Sequence, residues 1–395
     1  MPVLTDDLVR LQQAAEADAR GDPVAHVQLL QEIHRLQLAA ETPAERTMRM
    51  RFQILQNLCV RIAIEVNVLQ AIAAANGRPV TAAELAQTTG ADELLIIRIM
   101  RVITYVGICA ETDYATYASN ETTAFITQKA FIGAEKHHTD LGFAIGGKLV
   151  EMMRTHGLHQ FPEGSDQKSP FEYTYGMGMF EYLEKDREQK EDFDDYMAAR
   201  RDPDAPQWFD IYPVEQQLAD GPKVDKAAVL LVDVGGGKGH EISKFRQRFP
   251  EMPGEVVLQD LPVTVKAIDP RPKGVTLMEH DFFKEQPIQG ARLYFLRNIM
   301  HDWPDDKCRA ILGNIVNAMD PKHSRILIDD YVLPNTGAEM RAASMDILMM
   351  LYVSALERTQ RQWEDLLHSV NLEIVHIWSA ETGAESVIEA RVRLP

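Results

Sequence analysis

The sequence predicts an α/β fold in which a Rossmann-like, doubly wound sheet follows a helical, winged-helix-like domain. Three observations predict it. The apolar run 229–234 passes through the alternating glycines Gly235, Gly237 and Gly239 into a helical pattern, which is typical of a buried strand and a ligand-binding turn. Strand-length and helix-length segments alternate from there towards the C-terminus. Upstream, helical patterns and then two short strands lie between residues 51 and 120.

Length and composition indicate a globular protein of two or three domains. Of the 395 residues, 45% are hydrophobic and 25% charged. The formal net charge of −18 excludes nucleic acid as the main partner, because phosphate contacts need basic side chains. No apolar run reaches the roughly 18 residues of a membrane span, and the acidic start 1–7 lacks a signal-peptide layout. We therefore expect a cytoplasmic protein with no membrane partner.

The three cysteines, Cys59, Cys109 and Cys308, include no C-x-x-C pair. This spacing favours small buried side chains in a reducing compartment over a disulfide frame, and it predicts no metal site.

Residues 1–45 predict an N-terminal helical arm, and residues 46–135 a winged-helix-like dimerisation domain. From 51 to 75 the apolar side chains spread around most of a helix circumference, so we expect burial deep in a domain or in a subunit interface. A short helix follows, with Thr81 and Glu84 as its capping box.

Gly90 ends that short helix, and a further helix is predicted for 92–106. The same order of elements occurs in DNA-binding domains. However, this helix carries only Arg98 and Arg101 among apolar neighbours, and no basic cluster flanks it. Dimerisation is therefore the favoured use of the apolar surface.

Residues 136–215 are predicted to be a helical linker that also supplies an acceptor pocket. The part from 140 to 210 is rich in methionine and aromatic side chains. A plain core explains many of them, but such side chains in an irregular stretch also suit a flat apolar ligand. His137 and His138 precede this stretch, and because adjacent side chains point apart they do not form a chelate.

The C-terminal segment 216–395 predicts the doubly wound sheet. Its strand candidates are Val229–Val234, Glu255–Gln259, Val275–Glu279, Ala291–Leu296 and Ser324–Asp329. Ligands of such sheets bind beyond the carboxyl ends of the strands. There, Asp260 follows the second strand and suits the hydroxyls of a ribose, whereas Asp281 and Phe282 follow the third and suit the edge and face of an adenine.

The glycine turn distinguishes between nucleotide classes. A P-loop needs Gly-Lys before Ser or Thr, but here Gly239 and His240 follow Lys238. The dinucleotide fingerprint needs a third glycine at the position of His240, which is missing. A glycine turn, a ribose acid and an adenine acid without a phosphate cradle fit S-adenosylmethionine (SAM) best.

Several motifs together give a specific resemblance. V-D-V-G-G-G-K-G, L-Q-D-L-P, H-D-F-F, F-L-R-N-I-M-H-D-W-P-D, I-L-I-D-D-Y-V-L-P and L-E-R-T occur in the order and spacing seen in caffeic-acid-type SAM-dependent O-methyltransferases. The resemblance covers roughly residues 50–395 and is strongest to fungal natural-product members. It implies a homodimer with a class I methyltransferase sheet. It also implies transfer of a methyl group from SAM to a hydroxyl of an aromatic or polyketide-like small molecule, leaving S-adenosylhomocysteine.

The resemblance also implies roles for individual residues. The cofactor-binding positions are Gly235, Gly237, Gly239, Asp260, Leu261, Asp281, Phe282, Arg297 and Trp303. The acceptor-binding positions are Met179, Phe193 and Met197 from one helical segment, Met345, Leu348 and Met349 from another, and His138. Arg297 stands where the family usually has lysine.

The catalytic positions that the resemblance implies are His301, Glu357 and Asp330. A phenol with a pKa near 10 is poorly nucleophilic at neutral pH, so a histidine within hydrogen-bond reach can serve as general base. A carboxylate is needed to fix its tautomer and stabilise the imidazolium. Asp330 is one methylene shorter than the glutamate usual in the family, which makes Glu357 the stronger candidate for orienting His301.

Two other functions stay open at this stage. Some fungal proteins of this fold keep SAM but catalyse pericyclic or dehydration steps, and Asp330 and the pair His137–His138 leave that function possible. A non-catalytic SAM-binding regulator is the third hypothesis, and the presence of His301 and Glu357 disfavours it.

Overall fold

The computed structural model describes residues 2–21, 23–157, 168–199, 206–219, 228–379 and 385–394. The chain divides into two compact units. The first comprises Met1–Phe143 with Arg187–Arg201, and the second comprises Ala144–Asp186 with Asp202–Pro395. The four functional segments derived from the sequence stay predictions.

The helices of the described residues are, in chain order, α1 Pro2–Asp18, α2 Pro23–Ala40, α3 Pro43–Glu65, α4 Val68–Ala74, α5 Ala82–Thr89, α6 Glu93–Tyr105, α7 Glu121–Ile126, α8 Lys129–Lys136, α9 Gly142–His156, α10 Pro170–Tyr175, α11 Met179–Lys185, α12 Arg187–Ala199, α13 Trp208–Ile211, α14 Val214–Ala219, α15 His240–Arg248, α16 Pro262–Lys266, α17 Asp305–Ala318, α18 Met340–Val353 and α19 Gln360–Ser369. A π-helical segment covers His137–Leu141, and a 3₁₀ turn covers Met300–Asp302.

The strands are β1 Val80–Thr81, β2 Cys109–Asp113, β3 Thr116–Ser119, β4 Val229–Val234, β5 Glu255–Asp260, β6 Thr276–Glu279, β7 Leu293–Arg297, β8 Arg325–Leu333, β9 Arg358–Thr359, β10 Leu372–Ser379 and β11 Glu385–Val392.

In the first unit, the helix predicted for 51–75 is in fact two helices. α3 and α4 are bent by 65° relative to each other at a short break. Asn67 adopts a left-handed conformation there, with φ of 57°, which asparagine tolerates better than most residues. No single described helix is long and apolar enough to cross a membrane, although α3 and α4 together have the length and composition of a bent span.

The helix and hairpin order of the first unit matches the predicted order. Thr81 and Glu84 form the expected capping box, and Gly90 ends α5 with a φ of 76°. The predicted strand pair is β2 and β3, and β1 completes an antiparallel sheet of order β1-β3-β2. Buried residues of α3 to α6 and the hairpin form one core, with Ile72, Leu85, Ile96, Met100 and Tyr117 among them. The winged-helix assignment itself stays a prediction.

The second unit contains the predicted Rossmann-like α/β sheet. Its strand order is β10-β11-β8-β7-β4-β5-β6, with β9 beside β8. The five predicted strands are present and parallel to one another. However, β8 continues to Leu333, beyond its predicted end. The sheet is also mixed, because β11 pairs antiparallel with β8 and β10.

Alternating apolar side chains bury both faces of this sheet. On β7, Tyr294 and Leu296 belong to one core cluster, which includes Trp363 of α19. Leu293 and Phe295 belong to the opposite cluster. Burial of each such side chain contributes about 1.5–3 kcal/mol. Because helices cover both faces, the continuous apolar run of β4 is buried as a central strand. Polar side chains can then reach solvent or a ligand only at the carboxyl ends of the strands.

Candidate active site

The glycine turn follows β4 at the carboxyl end of the sheet, where ligands of such sheets bind. Gly235, Gly237 and Gly239 have φ values of 74°, 58° and 77°, a region that L side chains rarely adopt. A Cβ at Gly235 would lie 2.7 Å from Ile299 Cδ1, and one at Gly239 would lie 2.7 Å from Leu258 Cδ1. Backbone conformation therefore favours glycine at both positions, and a side chain there would also displace a neighbouring apolar side chain.

Asp260 connects this turn to the end of β5. Its Oδ2 accepts a hydrogen bond from the backbone N–H of Gly237 at 2.8 Å, and its Oδ1 accepts one from Leu261 N–H at 2.7 Å. Each carboxylate oxygen keeps a further lone pair for an outside donor. Asp260 is thus fixed at the turn with spare acceptor capacity, whereas Leu261 beside it is exposed.

Aromatic side chains lie next to the turn. A Cβ at Gly235 would be 3.5 Å from Phe282 Cε1, so the Phe282 ring borders the turn. Trp303 meets Phe282 edge-on, with ring centroids 6.1 Å apart, and Phe283 likewise at 4.9 Å. Asp281 accepts a hydrogen bond from Phe283 N–H at 3.0 Å, which fixes the loop after β6. The structure thus brings Phe282 and Trp303 together beside the glycine turn, and their part in cofactor binding stays a prediction.

Buried acids lie under the same turn. A Cβ at Gly236 would lie 2.5 Å from Asp233 Oδ2, so the carboxyl group of Asp233 is pressed against the turn. Burial, and secondarily the charges of Glu241 and Asp260, raise the pKa of Asp233 to about 8. Asp233 Oδ2 has no hydrogen-bond partner among the described residues. A cation bound beside Asp233 would favour its ionised form and lower this raised pKa, so the position suits a cationic ligand.

Arg297 supplies positive charge to these acids. Its Nη1 lies 2.8 Å from Glu241 Oε1, and its Nε lies 3.0 Å from Asp329 Oδ2. Arg297 and Asp329 are direct partners in the β7–β8 register, whereas Glu241 lies in the first turn of α15. Neither Glu241 nor Asp329 was predicted from the sequence as a site residue. For Glu241, its place two residues after Gly239 was a signal that could have indicated it.

His301 lies in the 3₁₀ turn that follows β7 and is 3% exposed. Its Nδ1 is 2.8 Å from Oε1 of the buried Glu357, which comes directly before β9. On the other side of the ring, Nε2 is 3.6 Å from Asp302 Oδ1. Because Glu357 accepts a hydrogen bond from Nδ1–H, the neutral ring carries its lone pair on Nε2.

Electrostatics determines the charge of this imidazole. Burial lowers the pKa of His301, but the carboxylates of Asp302, Glu357 and Asp330 outweigh burial and raise the pKa to about 10. These carboxylates therefore favour the imidazolium form of His301 in the free protein.

Asp330 contributes charge but no hydrogen bond. It is fully buried, and neither carboxylate oxygen has a hydrogen-bond partner among the described residues. Burial raises its pKa to about 7, while the charge of His301 opposes that rise. The shorter side chain thus leaves Glu357 as the carboxylate bonded to His301.

The predicted acceptor-binding residues fall on several elements. Met345, Leu348 and Met349 are half-buried on α18, which packs against the turn that carries His301. Met179 begins α11. The expectation that Met179, Phe193 and Met197 share one helical segment is wrong.

Phe193 and Met197 lie on α12 of the first unit, a helix separate from α11, because the chain ends α11 at Lys185 and starts a new helix at Arg187. His138 lies in the π-helical segment of that unit, with its ring 4.7 Å from that of Tyr196. A part in acceptor binding stays a prediction for all three residues.

Comparison with known families identifies the chain. Residues 156–371 match the model of the O-methyltransferase domain. The chain belongs to the O-methyltransferase family. It is 37% identical to the methyltransferase cfoC of Aspergillus candidus over 84% of this chain and 82% of that protein. It is 33% identical to a demethylsterigmatocystin 6-O-methyltransferase of Aspergillus parasiticus over 95% of each chain.

Solved structures of similar fold cover nearly the whole chain. LepI in complex with SAM superposes with a TM-score of 0.85 at 27% identity, over 99% of each chain. A structure described as a pericyclic reaction enzyme superposes with a TM-score of 0.84 at 28% identity, over the full length of both chains. The chain is a SAM-dependent O-methyltransferase, and the acid-rich glycine turn fits that cationic cofactor.

Proposed function

We propose that this enzyme methylates a hydroxyl of an aromatic or polyketide-like small molecule and that His301 is the general base. The buried pair of His301 and Glu357 carries this proposal, because Glu357 binds Nδ1 at 2.8 Å and leaves Nε2 as the nitrogen that can accept a proton. The relative named as a 6-O-methyltransferase supports a hydroxyl acceptor.

The chain's own residues prepare the acceptor oxygen. When bound, SAM would supply an electrophilic methyl group on a positively charged sulfur, and the glycine turn, Asp260 and Phe282 would hold it. Nε2 of His301 would take the hydroxyl proton as the acceptor oxygen bonds to the methyl carbon and the methyl–sulfur bond breaks, with S-adenosylhomocysteine as the leaving group, and Glu357 would stabilise the resulting imidazolium. Apolar side chains of α18, namely Met345, Leu348 and Met349, orient the acceptor so that the attack is in line.

The protonation state of His301 sets the pH range of this reaction. With a pKa raised to about 10 in the free protein, His301 must lose a proton before it can act as a base. A cation bound beside it favours that loss, because two positive charges in a buried site repel each other. We therefore expect methyl transfer to become faster as the pH rises.

A pericyclic or dehydration reaction is the second candidate function. The observation that favours it is the same raised pKa, because an imidazolium donates a hydrogen bond and can stabilise a polarised transition state without taking a proton. The likeness to a pericyclic reaction enzyme also supports this candidate.

Labelled cofactor separates these functions. The protein is incubated with methyl-labelled SAM and a panel of phenolic and polyketide acceptors, and both label transfer and acceptor structure are followed. Transfer that His301→Ala abolishes and the control His323→Ala retains supports methylation. Isomerised acceptor with intact SAM would support the pericyclic reaction instead. SAM binding without conversion of any acceptor would indicate a regulator.

We also infer that the enzyme is a homodimer that uses the first unit. α3 exposes large apolar side chains, namely Met48, Met50, Phe52, Ile54, Leu55 and Leu58. So many apolar side chains on one helix are unusual for a surface that stays in water. At 100° per residue, Met48, Phe52 and Leu55 share one face of α3, and a second copy of that face would cover them symmetrically.

Light scattering tests the dimer. The double variant Phe52→Glu/Leu55→Glu should be monomeric with an unchanged circular dichroism spectrum, because the charges would be buried without partners. Val375→Glu, which changes an exposed apolar residue of β10 in the second unit, is the matched control and should remain dimeric. A double variant that is still dimeric would exclude this face as the interface.

A further inference from the structure

Arg358 is a buried charge for which the proposed chemistry has no role. It follows Glu357 directly, lies in β9 beside Val332 of β8, and is 1% exposed. Buried guanidinium groups need partners for their five N–H donors. The identity of those partners indicates what the side chain does.

Two of the partners are carbonyls of the turn that carries His301. Nη1 of Arg358 donates to the carbonyl oxygen of Met300 at 2.9 Å, and Nη2 donates to that of Trp303 at 3.0 Å. These carbonyls lie directly before His301 and directly after Asp302. The turn itself is short, and its own bond from Trp303 N–H to Met300 is long, at 3.3 Å. Donors from outside are therefore important for its position.

Other side chains hold the guanidinium in place. Asp305 Oδ1 accepts from Nη2 at 2.7 Å and from Nε at 3.1 Å. Cys308 Sγ accepts from Nη2 at 3.3 Å, and the Trp363 ring lies 5.2 Å from the guanidinium carbon. The planar group is thus fixed on several sides, and its orientation towards the two carbonyls is determined.

Glu357 has its own anchor. Its backbone N–H donates to Asp346 Oδ1 of α18 at 3.0 Å. Two consecutive residues therefore contact the two parts of His301, with Glu357 bonded to the ring and Arg358 bonded to the backbone on either side of it.

We propose that Arg358 is a positioning residue that sets the separation between the His301 ring and the Glu357 carboxylate by fixing the turn 300–303. The proposal rests on the proposed function of the His301–Glu357 pair. Without the two guanidinium bonds, the side-chain contacts left to the carbonyls of Met300 and Trp303 among the described residues would be the weaker thiol contacts from Cys308 Sγ, at 3.3 and 3.2 Å, and the turn would be held less firmly relative to β9. A displacement of the order of 1 Å at a catalytic group can cost roughly 100-fold in rate.

Arg358→Lys is the most informative variant, because it keeps the charge but cannot donate to both carbonyls in a fixed fork geometry. We expect its kcat to fall roughly 10- to 100-fold while the KM for SAM is nearly unchanged. We also expect the titration midpoint of the His301 imidazole, followed by NMR on ¹⁵N-histidine-labelled protein without acceptor, to move to lower pH as the bond to Glu357 weakens.

A milder pair of variants covers the case in which Arg358→Lys does not fold. Asp305→Asn removes the main carboxylate partner of the guanidinium, and the Asp305 side chain is half-exposed, so the protein should still fold. Asp306→Asn is the matched control, because Asp306 is exposed and lies in the same first turn of α17. We expect Asp305→Asn to shift the His301 midpoint and to lower kcat, and Asp306→Asn to resemble the wild type.

The outcomes distinguish this proposal from the proposed function. Folded variants in which only the thermal stability falls, with an unchanged His301 midpoint, would overturn the positioning role. Equal behaviour of Asp305→Asn and Asp306→Asn would do the same. The NMR measurement needs no acceptor, so a failure of methyl transfer would leave this test of Arg358 intact.

Discussion

Glu357 accepts a hydrogen bond from His301 at 2.8 Å, and both side chains are almost completely buried. The bond fixes the ring orientation, and it directs Nε2 away from Glu357. Because a charged group contributes to it, this bond is worth about 1.5–3 kcal/mol. The proposed general-base role of His301 depends on this hydrogen bond.

Replacing Glu357 with glutamine tests the pair directly. Glu357→Gln removes the charge that stabilises the imidazolium, so kcat should fall roughly 10- to 100-fold with little change in the KM for SAM. Steady-state kinetics measures both constants. Glu364→Gln, an exposed position on α19, is the control and should leave both unchanged. Equal activity of the two variants would remove Glu357 from the mechanism.

The pH dependence follows from the raised pKa of His301. The base acts when it is neutral, so kcat/KM should rise with pH as the imidazolium is lost, towards a plateau above the pKa of about 10. Asp302→Asn removes a carboxylate that raises this pKa, so its profile should move to lower pH. Asp320→Asn serves as the surface control. A rate that is highest below pH 7 would contradict the base and favour the imidazolium as a donor.

Asp330→Asn should affect catalysis less than Glu357→Gln, because Asp330 acts on His301 through charge alone. The effect on stability has a defined sign. Since burial raises the Asp330 pKa from its ordinary value to about 7, the folded protein holds a proton that the unfolded chain has lost. The free energy of unfolding should therefore decrease as the pH rises from about 3.8, the ordinary pKa of an aspartate, to about 7.

Asp330→Asn should abolish that decrease and be the more stable protein above pH 7. Urea titrations at several pH values measure it. A variant that is less stable than the wild type above pH 7, or less active than Glu357→Gln, would show that Asp330 has a bonded partner in solution.

The glycine turn offers a matched pair of substitutions. Gly237→Ala and Gly239→Ala both place alanine in the left-handed region, at about 1–2 kcal/mol. The new Cβ at Gly239 would lie 2.7 Å from Cδ1 of the buried Leu258. At Gly237, no heavy atom of the described residues beyond its chain neighbours lies within 4 Å of the new Cβ. Overpacking adds about 1–3 kcal/mol. Gly239→Ala should therefore have the lower Tm and the weaker SAM binding by calorimetry, and similar values for the two variants would contradict the contact.

Local patterns predicted much of the fold. The apolar run before Gly235 predicted β4, and Thr81 with Glu84 predicted the start of α5, because both signals lie within a few residues. The break at Asn67 was not predicted, since a backbone conformation at one residue interrupts an otherwise helical pattern. The antiparallel strands β10 and β11 were also missed, although strand-forming residues such as Val375, Ile377 and Trp378 of β10 were a usable signal.

The site was predictable in parts. The resemblance supplied His301 and Glu357, and the structure adds the bond between them. The partners of Arg297, which are Glu241 and Asp329, are distant in sequence and come together only when the sheet forms. Arg358 was not singled out for the same reason, because its donors reach a turn more than fifty residues earlier in the chain.

The central claim is that His301 takes the proton of the acceptor hydroxyl while the methyl group moves. Single-turnover transfer of labelled methyl from SAM, compared between wild type and His301→Asn at pH values from 6 to 10, tests it most directly. The account predicts transfer that increases with pH in the wild type and a much slower transfer in the variant at each pH below the acceptor's own pKa. Equal transfer by the two proteins, or conversion of the acceptor with all label retained in SAM, would contradict it.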